Sequence, residues 1–212
     1  MTAPNKNKTN PRKNLEFVLF FTRDYFGKPW MNLVSTACTY APMVIFMLFT
    51  PKLVRKFGKK ELCGVGMIIA AVANLGMFAL RSVNPDVLAY LFLVLCFASG
   101  IGLTFIILQV WSMATDAIDE IEVKTGRRDD GTAYAFFMFF RKLGQVIAAI
   151  AVNGALLGMH YDYTKGAIQT TKNLEIMYDM ATIIPAVLFG IMAVVLLVWY
   201  PLSKKKVADL QI

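Results

Sequence analysis

Histidine, cysteine and charge are all scarce in this chain of 212 residues, and each scarcity excludes a class of function. His160 is the only histidine, which excludes a histidine-based metal cluster. The three cysteines, Cys38, Cys63 and Cys96, lack the C-x-x-C spacing of zinc sites and give no disulfide framework. The sequence also lacks H-E-x-x-H and G-x-S-x-G, so no metal site is expected and an intramembrane enzyme is disfavoured.

Charged residues make up 17% of the chain and hydrophobic residues 57%. A soluble domain has about 25% charged and 45–50% apolar residues. Because the apolar residues come in long uninterrupted runs, we exclude a disordered chain and a soluble enzyme and predict an integral membrane protein surrounded by lipid. The net charge of +8 does not indicate a nucleic-acid partner, because the basic residues form short clusters between the apolar runs.

Five apolar runs reach the roughly 20 residues that a spanning helix needs, which predicts an all-α membrane fold. The predicted spans are 30–50, 62–80, 87–115, 132–161 and 180–202. They belong to a transmembrane bundle at 15–202, between a polar tail at 1–14 and a second tail at 203–212. The first 14 residues are polar, so no secretory signal peptide is expected. The apolar stretch Leu15–Phe21 is too short to cross the membrane by itself.

The basic clusters orient these spans, because cytoplasmic loops are rich in lysine and arginine. The loop at 51–61, the loop at 116–131 and the tail after Leu202 are the basic ones, which places the C-terminus in the cytoplasm. Five spans would then put the basic N-terminal tail outside the cell, against the same rule. Either a sixth span precedes residue 30, or 14–26 is a short re-entrant or interfacial segment.

The run 132–161 differs from the others because it carries Arg141 and Lys142 near its middle. Lys142 lies about 16 Å along a helix from Gly131, roughly half of the hydrocarbon depth. A cation there costs about 2.5–3.5 kcal/mol and usually faces a cavity or a partner. The polar side chains within an arc of about 120° on this helix are called the polar stripe: Tyr134, Arg141, Lys142, Gln145 and Asn153. The stripe predicts the wall of a water-filled path, with a structural ion pair between helices as the alternative.

Two further patterns are weaker. On the run 30–50, an arc of about 140° holds five polar side chains: Asn32, Ser35, Thr36, Thr39 and Tyr40. They predict a second wall of the path, or hydrogen bonds between helices. After the run 87–115, the acidic Asp116 and Asp119 precede the basic Arg128. Ion pairs among these loop charges would hold helix ends together and, if breakable, form a gate; the alternative is a solvated loop.

Two stretches of the sequence resemble a known family. They are KLVRKFGKKEL at 52–62 and DAIDEIEVKTGRRDDGTAYAFFMFFRKLGQ at 116–145. Both resemble the glycoside–pentoside–hexuronide:cation symporters, a branch of the major facilitator superfamily that includes the melibiose permeases. The second stretch is the more specific one, since it combines a D-x-x-D pair, a TG-[KR]-R loop, an AY pair and FFRKLG. The resemblance covers roughly 15–206 and only the second half of that family.

The resemblance implies the C-terminal helical bundle of a major facilitator fold, with 15–26 as the end of a truncated first helix. It implies transport of a glycoside, pentoside or hexuronide together with Na⁺ or H⁺, in the cell membrane and without a bound cofactor. The family's cation-binding aspartates lie in its first six helices, and nothing in this chain matches them. We therefore expect the chain to be inactive alone and to need an N-terminal half-bundle as its partner.

The resemblance also assigns roles to individual residues. Lys142 matches a lysine that lies close to the sugar and cation sites, whereas the role of Arg141 is less defined. The acidic pair Asp116 and Asp119, together with Arg128, matches a charge network that helps to close the cytoplasmic side. One turn before Lys142 the chain has Phe137 and Met138, where melibiose-type members have polar residues. This departure disfavours melibiose-like contacts and leaves pentosides, glucuronides and other glycosides open.

Two other functions are compatible with the same sequence. The chain could be a non-transporting membrane subunit or sensor that kept the half-bundle, or a truncated remnant of a symporter. The discriminating residue is Lys142, because a transporter half should lose substrate binding on Lys142→Ala, whereas a structural subunit should lose only stability or association.

Overall fold

A computed structural model describes residues 26, 28, 30–82, 85–158, 171–202, 204, 206 and 207. Within these ranges the chain contains helices and no strand, so the predicted all-α fold is confirmed. The α-helices are α1 (Trp30–Met47), α2 (Thr50–Phe57), α3 (Lys59–Ala79), α4 (Pro85–Thr125), α5 (Asp130–Gly158) and α6 (Thr171–Val194). A 3-10 turn at Leu80–Ser82 follows α3, and a π-helical turn at Val195–Trp199 follows α6.

Five helices are long and apolar enough to cross a membrane: α1, α3, α4, α5, and α6 with its π-helical turn. This confirms the five clear transmembrane helices expected from the sequence. The predicted truncated helix at 15–26 lies, apart from Phe26, outside the described residues.

Helix α4 continues for ten residues beyond the apolar run that ends at residue 115. Its 41 residues span about 60 Å, twice the hydrocarbon thickness, so one end of α4 projects out of the membrane. The projecting turns contain an i,i+4 ion pair between Lys124 and Glu120 at 2.9 Å. The helix ends at Thr125, and Gly126 after it has a φ of 67°, the left-handed conformation that is favoured just beyond a helix C-terminus.

The core of the bundle is formed by α3, which packs against α4 and α6, and by α1, which packs against α4. Two close backbone approaches hold these helices together. A Cβ atom at Gly102 of α4 would overlap the carbonyl of Gly66 on α3, and one at Gly100 would overlap the backbone of Thr39 on α1. Glycine at these crossings therefore permits contacts that a larger residue would separate.

The buried side chains form two clusters at different heights. One contains Met31, Met77, Leu88 and Tyr178, and Tyr178 donates a hydrogen bond from its hydroxyl to the carbonyl of Met77. The other contains Leu62, Met67, Phe105, Met113 and Leu196. The second cluster lies beneath what we call the basic end, formed by α2, the first turn of α3, the last turns of α4 and residues 200–202, 204, 206 and 207.

At the opposite end of the bundle, Arg81 ties α3 to α6. Its guanidinium donates to both carboxylate oxygens of Asp179 at 2.9 Å and to Glu175 at 3.2 Å. The two long helices that frame the core are therefore joined at this end by charge-assisted hydrogen bonds.

Helix α5 lies at the edge of the bundle, and Leu156 is its only buried residue. It contacts α4 through a hydrogen bond between the hydroxyls of Tyr134 and Thr115 at 3.2 Å. The ring of Phe137 also packs edge-on against Trp111, with centroids 5.3 Å apart. Most of the surface of α5, including the centre of the helix, is left open.

Candidate functional site

A cavity of about 480 Å³ lies inside the bundle, within the range of small-molecule sites. Its lining includes Met77 and Cys96 of one core cluster and Phe189, which packs against the other. The cavity therefore lies between the two clusters, at mid-height in the bundle. Helices α1, α3, α4 and α6 supply most of its wall, and α5 contributes Val152.

The polar arc predicted on 30–50 forms part of this wall. Four of its five members, Ser35, Thr36, Thr39 and Tyr40, line the cavity. The hydroxyls of Ser35 and Thr39 donate to carbonyls of their own helix, at 3.1 and 2.8 Å. Each hydroxyl oxygen still has lone pairs that can accept a hydrogen bond from a ligand.

The fifth member, Asn32, does not line the cavity. Its side-chain oxygen is buried and has no hydrogen-bond partner among the described residues.

Two polar residues of the cavity were not singled out from the sequence. The amide of Asn74 on α3 donates to the carbonyl of Ala70 at 2.7 Å and to the Ser99 hydroxyl of α4 at 3.0 Å. Asn74 is the only asparagine in the uncharged run 62–80, and that is the signal that could have identified it. The buried Asn74–Ser99 pair links two helices and presents hydrogen-bonding groups to the cavity.

Pro185 of α6 adds an acceptor to the same cavity. Because proline has no N–H, the carbonyl of Ala181 one turn earlier lacks its usual helical donor. Both residues line the cavity. The wall thus combines hydroxyl, amide and carbonyl groups with apolar side chains, which is the composition of sites that bind small polar molecules.

The polar stripe on α5 lies outside this cavity. Arg141, Lys142, Gln145 and Asn153 are all exposed, and Tyr134 is half-buried at the contact with α4. Lys142 is ten residues from Val152, or about 15 Å along the helix. The two predicted walls therefore do not enclose one space within the described part of the chain.

Members of the stripe differ in what they contact. The guanidinium of Arg141 lies over the ring of Trp111, 5.3 Å from its centroid. The amide of Asn153 donates to the carbonyl of Ala149, one turn earlier on the same helix, at 2.7 Å. Within the described ranges, the side chains of Lys142 and Gln145 make no hydrogen bond or ion pair with another residue. A lysine in the middle of an apolar helix is thus exposed and unpaired.

At the basic end, the structure pairs the predicted gate residues in two separate groups. Asp116 is buried and accepts hydrogen bonds from the Lys59 ammonium at both carboxylate oxygens, each at 2.7 Å. Arg128 instead contacts Asp119 at 3.2 Å and Glu122 at 2.8 Å. The sequence identified Asp116, Asp119 and Arg128 but not Lys59, although Lys59 belongs to the basic loop 51–61.

The turn before α5 is held by its own polar groups. Arg128 also contacts Asp130 at 3.1 Å, and this carboxylate, followed by that of Glu122, raises the pKa of the guanidinium. Asp129 accepts a hydrogen bond from the backbone N–H of Thr132 at 3.1 Å. Hydrogen bonds from the Thr132 side chain and backbone lower the pKa of Asp129, so the carboxylate stays ionised at the start of α5.

Residues that follow the last span contact the end of α4 at the basic end. The hydroxyl of Tyr200 donates to the carbonyl of Met113 at 3.1 Å. Burial, and then the nearby carboxylates of Asp116 and Glu120, raise the pKa of Tyr200, so this donor stays protonated. Glu120 accepts a hydrogen bond from Lys206 at 2.7 Å, which connects the chain after the last span to the end of α4.

The described residues contain no group of three histidine, cysteine, aspartate or glutamate side chains that could hold a metal ion. The polar groups that the structure does bring together are suited to hydrogen bonding and charge pairing.

Comparison with known proteins gives matches over nearly the whole chain. A family model described as MFS/sugar transport protein matches residues 14–204. An uncharacterized symporter of Bacillus subtilis (strain 168), YjmB, is 30% identical over 181 residues, which cover 85% of this chain and 37% of that protein. The glucuronide carrier protein homolog of Escherichia coli (strain K12) is 30% identical over 179 residues, covering 84% and 36% respectively. The chain therefore spans less than two fifths of the length of these relatives.

Proposed function

Since this chain belongs to the family of MFS/sugar transport proteins, we propose that it is the C-terminal half-bundle of a secondary transporter that carries a sugar or glycoside together with Na⁺ or H⁺. The chain is a multi-pass membrane protein of a transporter family rather than an enzyme. The observation that carries the proposal is the exposed Lys142 at the centre of an apolar helix, whose side chain pairs with no residue that the structure describes. Such a residue is stable in a membrane when it faces a water-filled path or a second bundle.

The substrate class is supported by the charge of the polar stripe. Arg141 and Lys142 present two positive charges on neighbouring positions of α5, and neither is neutralised by a carboxylate among the described residues. Of the three substrate classes considered, a hexuronide is the anionic one, and its carboxylate would pair with these charges. The name of the Escherichia coli relative, a glucuronide carrier homolog, agrees with this choice.

The coupling ion requires groups from outside the described helices. Their central turns carry no carboxylate: the acidic residues of α3, α5 and α6 lie toward helix ends, Asp86 lies in the first turn of α4, and the other acidic residues of α4 lie at its projecting end. We therefore assign the cation site to an N-terminal half-bundle and give Lys142 the role of sensing whether that site is filled. Two bundles rocking around a midplane site are the usual arrangement of such transporters.

The orientation follows from the positive-inside rule. The basic end, with Lys52, Arg55, Lys56 and Lys206, belongs in the cytoplasm of a cell whose plasma membrane holds the protein. The C-terminus is then cytoplasmic, and the ion pairs of Asp116, Asp119 and Arg128 lie at the cytoplasmic gate.

Equilibrium binding tests the proposal. The chain is co-expressed with the N-terminal half of the Escherichia coli glucuronide carrier homolog, and binding of nitrophenyl β-glucuronide, β-xyloside and α-galactoside is measured on the purified pair. We expect the glucuronide to bind most tightly and Lys142→Ala to weaken binding at least tenfold while the two halves stay associated. If Lys142→Ala separates the halves but leaves the affinity of the remaining pairs unchanged, the chain is a structural subunit instead.

A further inference from the structure

Helix α2, the short segment between the spans α1 and α3, has two faces of opposite character. One face packs on the core cluster at the basic end: Thr50 is buried, and Leu53 and Val54 contact that cluster. The other face carries Lys52, Arg55 and Lys56, which are all exposed and lie at i, i+3 and i+4.

These three cations have no acidic partner in the part of the chain that the structure describes. Asp116 is paired with Lys59 and Glu120 with Lys124 and Lys206, and no ion pair between described residues includes Lys52, Arg55 or Lys56. The neighbouring tail adds positive charge, since the Lys204 ammonium donates to the carbonyl of Lys56 at 3.1 Å. The surface therefore has a local excess of positive charge.

The surface around α2 also exposes large apolar side chains, which are unfavourable in contact with water. Leu48 is 78% exposed, Phe49 52% and Phe57 49%. The ammonium of Lys56 lies 5.2 Å from the ring centroid of Phe57. Exposed aromatic and aliphatic groups beside a row of cations are typical of a helix lying at the boundary between headgroups and acyl chains.

The connections of α2 to its neighbouring helices independently place it at the membrane surface. It begins three residues after α1 and ends two residues before α3, both of which are long enough to cross the membrane. The turn into α3 is made at Gly58, which has a φ of 98°. The helix is thus held at the membrane surface by the two spans that it connects.

We infer that Lys52, Arg55 and Lys56 on α2 form a binding site for the phosphate headgroups of anionic phospholipids. Headgroup phosphates accept hydrogen bonds from the guanidinium and ammonium groups, while Leu48, Phe49 and Phe57 lie against the acyl chains. This site is separate from the interhelical cavity and from the polar stripe, and it does not depend on the proposed function.

Lipid titration of the purified full chain in detergent micelles tests the site. Native mass spectrometry measures binding of phosphatidylglycerol and of phosphatidylcholine with identical acyl chains. The test variant is Lys52→Gln/Arg55→Gln/Lys56→Gln. The control, Lys124→Gln/Arg127→Gln/Lys172→Gln, removes the same charge at exposed positions elsewhere.

The wild-type chain should prefer phosphatidylglycerol, and the test variant should lose about fivefold in affinity for each neutralised side chain. The control variant should keep the preference. Equal affinity of the wild-type chain for both lipids would overturn the inference, as would an equal loss in both variants, which would indicate net charge alone.

Two measurements on the wild-type chain make the result independent of how the triple variant folds. The preference for phosphatidylglycerol should fall as NaCl is raised from 50 to 500 mM, because exposed ion pairs are screened. Millimolar inorganic phosphate should not displace the lipid, since it lacks acyl chains to contact Phe49 and Phe57. Salt-independent preference, or displacement by phosphate, would contradict a lipid headgroup site.

Discussion

At the scale of single residues, the charged side chains of this bundle differ in how much they are shielded from water. The Asp116 side chain is 7% exposed and that of its partner Lys59 is 22% exposed. Arg128, in contrast, is 46% exposed although it contacts three carboxylates. Burial determines how much stability is lost when one partner of an ion pair is substituted. In a buried pair the remaining charge has neither solvent nor a counterion.

Replacing Asp116 by asparagine should therefore destabilise the bundle much more than replacing Arg128 by glutamine. We expect a loss of about 3 kcal/mol for Asp116→Asn and a much smaller loss for Arg128→Gln, because water screens an exposed ion pair. Chemical unfolding in one detergent measures both. A double-mutant cycle with Lys59→Gln should give a coupling energy of about 1–3 kcal/mol, and additive effects would show that the pair contributes nothing.

For Lys142 we predict the opposite effect on stability, because no described residue pairs with its side chain. Lys142→Met should leave the unfolding free energy unchanged or raise it, since it removes an unpaired charge from an apolar helix. If Lys142 instead belonged to a structural ion pair, the same change would cost about 3–5 kcal/mol. Arg141→Met is the matched control, and it should cost about 0.5–1 kcal/mol through its contact with Trp111.

Some of these residue-level properties were predictable from the sequence and others were not. The 3.6-residue period was enough to group Lys142 with Arg141 and Gln145 on one side of a helix. The partner of Asp116 was not predictable, because Lys59 lies 57 positions away and is brought close only by the packing of α3 on α4.

At the scale of the helices, packing depends on glycines where two backbones meet. Gly102 and Gly66 lie at the crossing of α3 and α4, whereas a Cβ at Gly144 of α5 would have nothing within 4 Å. These two environments predict opposite effects of the same substitution.

Gly102→Ala should destabilise the bundle by about 1–3 kcal/mol, because the added methyl group overlaps the Gly66 carbonyl and Ala70. Gly144→Ala should be neutral or should stabilise by up to about 1 kcal/mol, because alanine restricts the unfolded chain and favours the helix. Unfolding midpoints of the two variants in the same detergent check this pair. Equal destabilisation by both would contradict the helix crossing described here.

The number of spans was predictable from apolar run length, but helix ends were not. The charged residues after 115 were expected in a loop, yet α4 continues to Thr125. Hydropathy detects where a helix leaves the hydrocarbon layer, and it does not detect where the helix itself stops. The stop is set by the glycine at 126, a local conformational signal.

At the scale of the whole molecule, the most informative feature is the open surface of α5. The other four spanning helices each bury at least three residues, whereas α5 buries Leu156 and carries the polar stripe on its exposed surface. A second bundle packed on this side would cover the apolar part of that surface and enclose the stripe. This is the arrangement that the proposed function requires.

The cavity shows what the sequence could and could not supply at this scale. The spacing of Ser35, Thr36 and Thr39 predicted that they share one side of a helix, and they lie together on the α1 wall of the cavity; that this wall faces α3, α4 and α6 and not the polar stripe was not predicted. The pairing of Asn74 with Ser99 in the cavity wall depends on how α3 crosses α4, and this crossing cannot be predicted from either helix sequence alone.

Uptake of a glucuronide by membrane vesicles is the measurement that tests the central claim most directly. Vesicles contain this chain alone, the N-terminal half of the Escherichia coli relative alone, or both, and the two halves of that relative serve as the positive control. We predict uptake only when both halves are present, loss of uptake when the Na⁺ or H⁺ gradient is collapsed, and loss on Lys142→Ala. Uptake by this chain alone, or uptake by the pair that survives Lys142→Ala, would contradict the account, as would an inactive pair beside an active control.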